Sequence, residues 1–194
     1  MRLLKKNLVM DKISDLIQVY DNALDKNICN LLIEKFETLV EKQEKVNQNN
    51  KPNFTQLNLT EVCNESSELN YLHQFLLKKT FDYKKKYCSY LGEWKFPQKH
   101  GFEQFRIKRY LNNGKDVFER HIDVTDYASA RRYLSFFWYL NDVDEGGETV
   151  FDGLTVKPET GKLVVFPPLW MFPHSGNMPI SNTKYIVSTY LHYI

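Results

Sequence analysis

Cysteine is scarce: Cys29, Cys63 and Cys88 are the only three in 194 residues. They are odd in number, widely spaced and form no Cys-x-x-Cys pair, which excludes a disulfide framework and makes a reducing cytoplasm the expected compartment. An excess of charge of one sign is also missing. Lys and Arg number 26 against 24 Asp and Glu, a net charge of +2, and no basic stripe interleaves with aromatics. Nucleic acid is therefore not an expected partner, and the run Lys84-Lys85-Lys86 reads as a solvated helix face. No stretch approaches the roughly 18 apolar residues of a membrane span, so no membrane partner is expected. In the opening Met1-Arg2-Leu3-Leu4-Lys5-Lys6, lysines interrupt the apolar run that a secretory signal requires. Internal repeats and low-complexity tracts are absent as well.

What is present fits one globular domain over residues 1–194, with 42% hydrophobic and 26% charged residues. Aromatics reach 14%, with 12 Tyr and 13 Phe, which favours pleated sheet in the later half. Two regimes divide the chain near residue 100. In the first, Ile28, Leu31, Leu32, Phe36, Leu39 and Val40 recur every three or four positions behind Asp25, placed as an N-cap. A second helical pattern runs from Ser67 to Tyr90 through Leu69, Leu72, Phe75, Leu76, Phe81 and Tyr87. Leu16–Tyr20 reads as a short strand, and the polar stretch Asn47–Asn53 as a linker or turn. Residues 1–100 thus form helical support and a first strand, and 101–194 a β core.

In the second regime the candidate strands are Phe102–Tyr110, Arg132–Leu140, Lys162–Phe166 and Lys184–Tyr193. Asn112-Asn113-Gly114, Glu145-Gly146-Gly147 and Glu159-Thr160-Gly161 mark turns between them. Short strands punctuated by Gly, Asn and Pro predict an antiparallel sandwich or barrel.

Within this region His121-Ile122-Asp123 places an imidazole and a carboxylate two residues apart, on one face if the segment is a strand. A lone His-x-Asp pair is common by chance. His174, just before Ser175-Gly176, adds a third donor, and two nitrogens with one oxygen suit ferrous iron with open positions. The same three ligands would also accept zinc. Lys184 opens a strand that continues Tyr-Ile-Val-Ser-Thr-Tyr-Leu; it is either the exposed first residue or an inward cation that needs an anion.

Taken in order, Arg109-Tyr110, His121-x-Asp123, Arg132, Tyr139-Leu140-Asn141-Asp142, Glu145-Gly146-Gly147-Glu148-Thr149-Val150-Phe151, Pro158-x-x-Gly161-Lys162-Leu163, His174, Pro179 and Lys184-Tyr185 resemble the prolyl 4-hydroxylase branch of the Fe(II)- and 2-oxoglutarate-dependent dioxygenases. The likeness covers residues 102–193. It implies a double-stranded β-helix, a jelly-roll-like barrel with the N-terminal helices on its outer sheet. It also implies Fe(II) held by His121, Asp123 and His174, with 2-oxoglutarate and O₂ as co-substrates and ascorbate as an optional reductant.

By the same likeness, Lys184 and Tyr139 would hold the distal carboxylate of 2-oxoglutarate, and Tyr110 would line the iron and co-substrate pocket. Arg132 would stand near the substrate channel, with Arg131 the alternative if the register slips by one. The glycines of Gly146-Gly147-Glu148-Thr149 read as architectural. Departures from the pattern are Tyr190, where Trp is frequent, and Phe118, where Tyr is frequent; His192 reads as structural or exposed. The implied prime substrate is a prolyl residue in a peptide or protein, with Cys63–Leu69 and Val124–Arg131 as candidate lids. A free amino acid or small metabolite, which would want a closed pocket, is the alternative within the class. A non-catalytic scaffold and a zinc hydrolase are the alternatives outside it.

Overall fold

A computed structural model describes residues 12–47 and 52–194, and the expectation for the first six residues lies outside them. The N-terminal half holds β1 (Gln18–Tyr20), α1 (Lys26–Thr38), β2 (Gln43–Asn47), β3 (Asn53–Asn58), α2 (Leu59–Val62) and α3 (Ser67–Leu91). There follow β4 (His100–Phe102), β5 (Arg106–Tyr110), β6 (Phe118–His121), β7 (Arg132–Tyr139), β8 (Thr149–Phe151) and β9 (Leu154–Val156). The chain closes with β10 (Leu163–Phe166), β11 (His174–Gly176) and β12 (Lys184–Tyr193).

Eight strands form one sheet in the order β1-β10-β7-β12-β5-β3-β2, with β4 beside the far end of β12, and β6-β11-β8-β9 form a second, smaller sheet. All the pairings are antiparallel. The two sheets form the double-stranded β-helix that the resemblance implied. At its centre lies β12, paired with β7 along one edge and with β5 and then β4 along the other.

Side chains alternate across this sheet with period two, so each strand serves two cores. Outward, Ile107, Leu134, Phe136, Trp138, Leu163, Val165, Val187 and Leu191 meet the helices. Inward, Tyr110, Phe137, Tyr139, Val164, Phe166 and Ile186 face the smaller sheet. The helices are amphipathic as their spacing predicts. In α1, Ile28, Cys29, Leu32 and Phe36 are buried, and α3 buries Leu69, Leu72, Leu76, Thr80, Tyr87 and Cys88. At the start of α3 the Ser66 hydroxyl accepts from the Leu69 amide, the side-chain cap that satisfies an orphan N–H. Asp25 occupies the N-cap of α1 without such a bond.

One backbone contact docks the N-terminal segment to the barrel. Gly161 lies at φ +78°, and its carbonyl accepts from the amides of Ala23 and Leu24. A Cβ there would stand 2.1 Å from Leu24 O, so the turn requires glycine both for its backbone angle and for the close approach.

Three boundaries differ from the sequence reading. The stretch Phe102–Tyr110 is two strands, because the chain breaks pairing at residues 103–105, where Glu103 turns to meet Arg132. Asn47 and Asn53 are not linker but the paired ends of the β2–β3 hairpin; the connecting residues 48–51 lie outside those described. The first strand covers only residues 18–20, after a 3₁₀ turn at Ile13–Leu16.

The helical layer should carry much of the stability. Leu32 is fully buried between α1 and the sheet, so Leu32→Ala is expected to cost about 3 kcal/mol in urea denaturation. Trp170, 73% exposed, should change it by less than about 0.5 kcal/mol when replaced by Ala.

Candidate metal and co-substrate site

Two imidazoles are brought together by the pairing of β6 with β11, which sets His121 directly opposite His174. Their ring centroids lie 4.3 Å apart. Asp123 is not on the strand, as the sequence suggested, but in the bend just past its end. Its carboxylate reaches back, with Oδ1 3.5 Å from His121 Nε2 and Oδ2 3.8 Å from His174 Nε2. One donor atom from each residue lies within 4.8 Å of the other two.

The tautomers are set from behind. His121 Nδ1 is 2.7 Å from Glu119 O and His174 Nδ1 is 3.1 Å from Phe172 O. A carbonyl only accepts, so each Nδ1 must carry the proton, leaving each Nε2 with a bare lone pair. Both Nε2 atoms are buried and have no hydrogen-bond partner. Two orphaned nitrogen lone pairs facing a carboxylate across a space of this size fit a divalent metal ion. Burial lowers the pKa of His174, keeping the imidazole in its neutral, ligating form.

A polar shell orients the carboxylate. The Tyr190 hydroxyl donates to Asp123 Oδ1 at 3.0 Å, and Ser135 Oγ approaches Oδ2 at 3.4 Å. Burial alone would raise the pKa of Asp123, but His121, His174 and the Tyr190 hydroxyl outweigh it and hold it at about 2. Arg132 donates to the backbone carbonyl of Asp123 at 2.8 Å and forks onto Glu103 at 3.0 and 3.1 Å. Its guanidinium also lies 4.0 Å from the centre of the Tyr190 ring. The register question is thereby resolved: Arg132 turns inward and braces the metal loop, while Arg131 is exposed at the mouth.

Deeper in the barrel sits Lys184, only 2% exposed although it opens β12. Its ammonium donates to Gly147 O at 2.6 Å, and no carboxylate among the described residues pairs with it. Burial pushes its pKa down to about 7. The chamber before it is lined by Tyr110, Thr149, Gly176, Ile186 and Lys108 and reaches His121 and His174. A Cβ on Gly176 would sit 3.8 Å from the ammonium, so glycine keeps that approach clear. Burial raises the pKa of Tyr110, which keeps its phenol a proton donor.

Tyr139 is fully buried beside Lys184, whose ammonium lies 5.8 Å from the centre of its ring, and it donates its hydroxyl to Thr149 Oγ1 at 2.6 Å. Thr149 lines the chamber, and since its oxygen accepts from Tyr139 its own proton is free to point inward. Thr149, Lys108 and Tyr190 were not read as site residues; the signal available for Lys108 was its alternation with Tyr110 on β5.

Outward, the chamber shares Lys108, His121 and Tyr190 with a second space of about 230 Å³. That space in turn shares Arg106, Asp123 and Arg132 with an open cavity of about 580 Å³. Residues of the Val124–Arg131 segment line this mouth. The other candidate lid, Cys63–Leu69, instead joins α2 to α3, with Val62 and Leu69 buried in the helical core on the sheet's far face. His192 is buried at 9% exposure and also lines the mouth.

Two outcomes are expected of the isolated site. Tyr190→Phe removes one donor to Asp123, so affinity for Co(II) should fall about tenfold in a spectral titration, with the fold unchanged by circular dichroism. Lys184 titrates at about 7 folded but near 10.5 unfolded, so between those values the unfolded chain binds the extra proton. Stability therefore rises with pH across that window. The melting temperature of ligand-free protein should climb from pH 7 to pH 10, and Lys184→Met should flatten the climb.

Comparison with known proteins agrees with this geometry. The model of the 2OG-Fe(II) oxygenase superfamily matches residues 105–192. A curated relative, "Probable prolyl 4-hydroxylase 9" of Arabidopsis thaliana, is 38% identical over 123 residues, covering 48% of this chain and 41% of that protein. The chain thus spans about two-fifths of that relative's length. Among solved structures, a Trichoplax adhaerens prolyl hydroxylase in complex with a hypoxia inducible factor peptide fragment superposes with TM-score 0.73 at 16% identity, over 92% of this chain and 84% of that one. The viral collagen prolyl hydroxylase of Paramecium Bursaria Chlorella virus-1 gives TM-score 0.65 at 20% identity, over 92% and 96%. At those identities the structures speak to the fold. The matched segment, the paired histidines and the buried lysine in one barrel are thus similar to the 2OG-Fe(II) oxygenase superfamily, and the curated relative places that likeness on the prolyl 4-hydroxylase side.

Proposed function

We propose that the protein is an Fe(II)- and 2-oxoglutarate-dependent hydroxylase of prolyl residues in a peptide or protein. The observation that carries this reading is the buried axis of the barrel. At one point two unprotonated Nε2 atoms and a carboxylate converge, and at the chamber's inner end an ammonium waits without a carboxylate. A dicarboxylate that ligates the metal with one end and needs a cation at the other matches both demands.

In this reading His121, Asp123 and His174 hold Fe(II), and Lys184 takes the distal carboxylate with the Thr149 hydroxyl and the Tyr110 phenol beside it. Free space before the ammonium is small, about 20 Å³, and Lys184 uses one N–H on Gly147 O, which leaves its other donors for the incoming carboxylate. Bound iron with 2-oxoglutarate and O₂ supplies the oxidising power that puts one oxygen atom into a prolyl C–H bond while 2-oxoglutarate becomes succinate and CO₂. Around the metal the chain excludes water with aromatic rings. Phe118 stacks on His121 at 3.6 Å between centroids, and Phe137, Phe151 and Phe166 surround His174. Support for a peptide rather than a free amino acid comes from the mouth, an open cavity of about 580 Å³ instead of a closed pocket. Support for proline comes from the relative named as a probable prolyl 4-hydroxylase.

Anaerobic titration with Fe(II) and then 2-oxoglutarate should develop a weak visible charge-transfer band that His174→Ala abolishes. Under air, with ascorbate as reductant, proline-containing peptides should gain the mass of one oxygen atom. A metal-loaded protein with no band on adding 2-oxoglutarate would end the oxygenase reading. Lys184→Met should keep metal binding but raise the 2-oxoglutarate KM at least about tenfold, the worth of one charge-assisted contact.

A further inference from the structure

The alternation of β5 sends three side chains into the site in a line. Tyr110 lies opposite Lys184, Lys108 opposite Ile186 and Arg106 opposite Ser188. Ile107 and Arg109 point the other way, Ile107 into the helical core and Arg109 onto Glu37. The inward face of β5 therefore runs from a phenol at the deep end through a lysine to an arginine at the mouth.

Lys108 is 8% exposed, and its ammonium lies 5.0 Å from the centre of the Phe54 ring. No carboxylate among the described residues pairs with it. Burial holds its pKa down to about 8; Asp123 is the acidic group that acts on it, while Arg106 and Arg132 add positive charge. Arg106 donates to the Gln104 side chain and, among the described residues, to no carboxylate. The acidic groups nearby are already engaged. Glu103 is gripped by Arg132, Asp123 belongs to the metal trio, and Asp126 accepts from the amide and hydroxyl of Ser129. The passage from mouth to metal is left with uncompensated positive charge.

Resting on the hydroxylase reading above, we propose that the prime substrate presents an acidic side chain next to the hydroxylated residue, and that Lys108 and Arg106 receive its carboxylate. The co-substrate does not account for this pair. Lys184 lies in the inner chamber alone, whereas Lys108 lines both that chamber and the space outside it, and Arg106 lines only the outer spaces. The positive line thus continues outward past the metal, along the path by which the prime substrate enters.

Four acetylated, amidated peptides separate the two readings: Pro or Ala at the centre, each with Glu or Gln on both sides. Their affinities for the Fe(II)- and 2-oxoglutarate-loaded protein are measured anaerobically by calorimetry, with the 2-oxoglutarate affinity alongside. The Glu peptides should bind at least about tenfold tighter than their Gln counterparts at low salt, whichever residue is central, and the ratio should shrink as salt rises. In Lys108→Met/Arg106→Gln that ratio should fall to within about twofold. Lys108→Met preserves the volume and removes a buried charge, so the variant is expected to fold. Equal binding of Glu and Gln peptides by the native protein overturns the inference. So does a ratio unchanged in the double variant, including the case where 2-oxoglutarate affinity falls instead, which would give Lys108 to the co-substrate. Failure of the prolyl reading has its own signature: under air neither Pro peptide gains the mass of one oxygen atom, while the Glu preference in binding stands.

Discussion

Everything in this barrel is arranged around polar groups buried without internal neutralisation. Lys184, Lys108, His121 and His174 lie inside or at the edge of an apolar chamber whose own residues do not satisfy them. Removing such groups from water costs free energy unless something pairs with them. A protein that keeps them there stores a demand for ligands, and the kinds of ligand can be read from the kinds of demand. Bare nitrogen lone pairs ask for a metal; ammonium groups ask for carboxylates.

That demand must be offset elsewhere, and the same sheet does it on its other face. Because β5, β7, β10 and β12 alternate over most of their length, inward functional residues have outward neighbours in the helical core: Ile107 beside Lys108, Val187 near Lys184, and Phe136 and Trp138 around Phe137. The long helices are thus not an appendage. Leu32, Phe36, Leu72 and Leu76 pack the back of the sheet whose front carries the chemistry. A one-residue slip of any of these strands would exchange the two faces, so the register that stabilises the outer core also aims the inner site.

How far the site was legible follows from how local its signals are. His121, Asp123, His174 and Lys184 could be read because their types are chemically conspicuous and their order matches a known pattern. The hydrogen bond from the Tyr139 hydroxyl to Thr149 joins β7 to the start of β8, a contact that no spacing announces. Lys108 looked like one more cation in Arg106-Ile107-Lys108-Arg109, since a run of positive residues usually marks a solvated strand. Only pairing β5 against both β12 and β3 shows that alternate members are enclosed. The β2–β3 hairpin was missed for a related reason. Gln43–Asn47 is polar except for Val46 and carries no period, so its strand character comes from its partner.

The departures from the family pattern have a physical logic of their own. Tyr190, standing where Trp is frequent, uses its hydroxyl to hold Asp123 and its ring to carry the guanidinium of Arg132. Arg132 is fixed at its other end by Glu103, which is free to turn because the chain leaves the sheet between β4 and β5. The break in that strand, the arginine, the tyrosine and the metal carboxylate therefore form one connected network. Its members are satisfied mainly by one another, and such networks fix geometry more firmly than isolated pairs do. Orientation of the carboxylate is thus tied to the residues that line the mouth, and a guest that pulls on Arg132 or Glu103 would be felt at the metal.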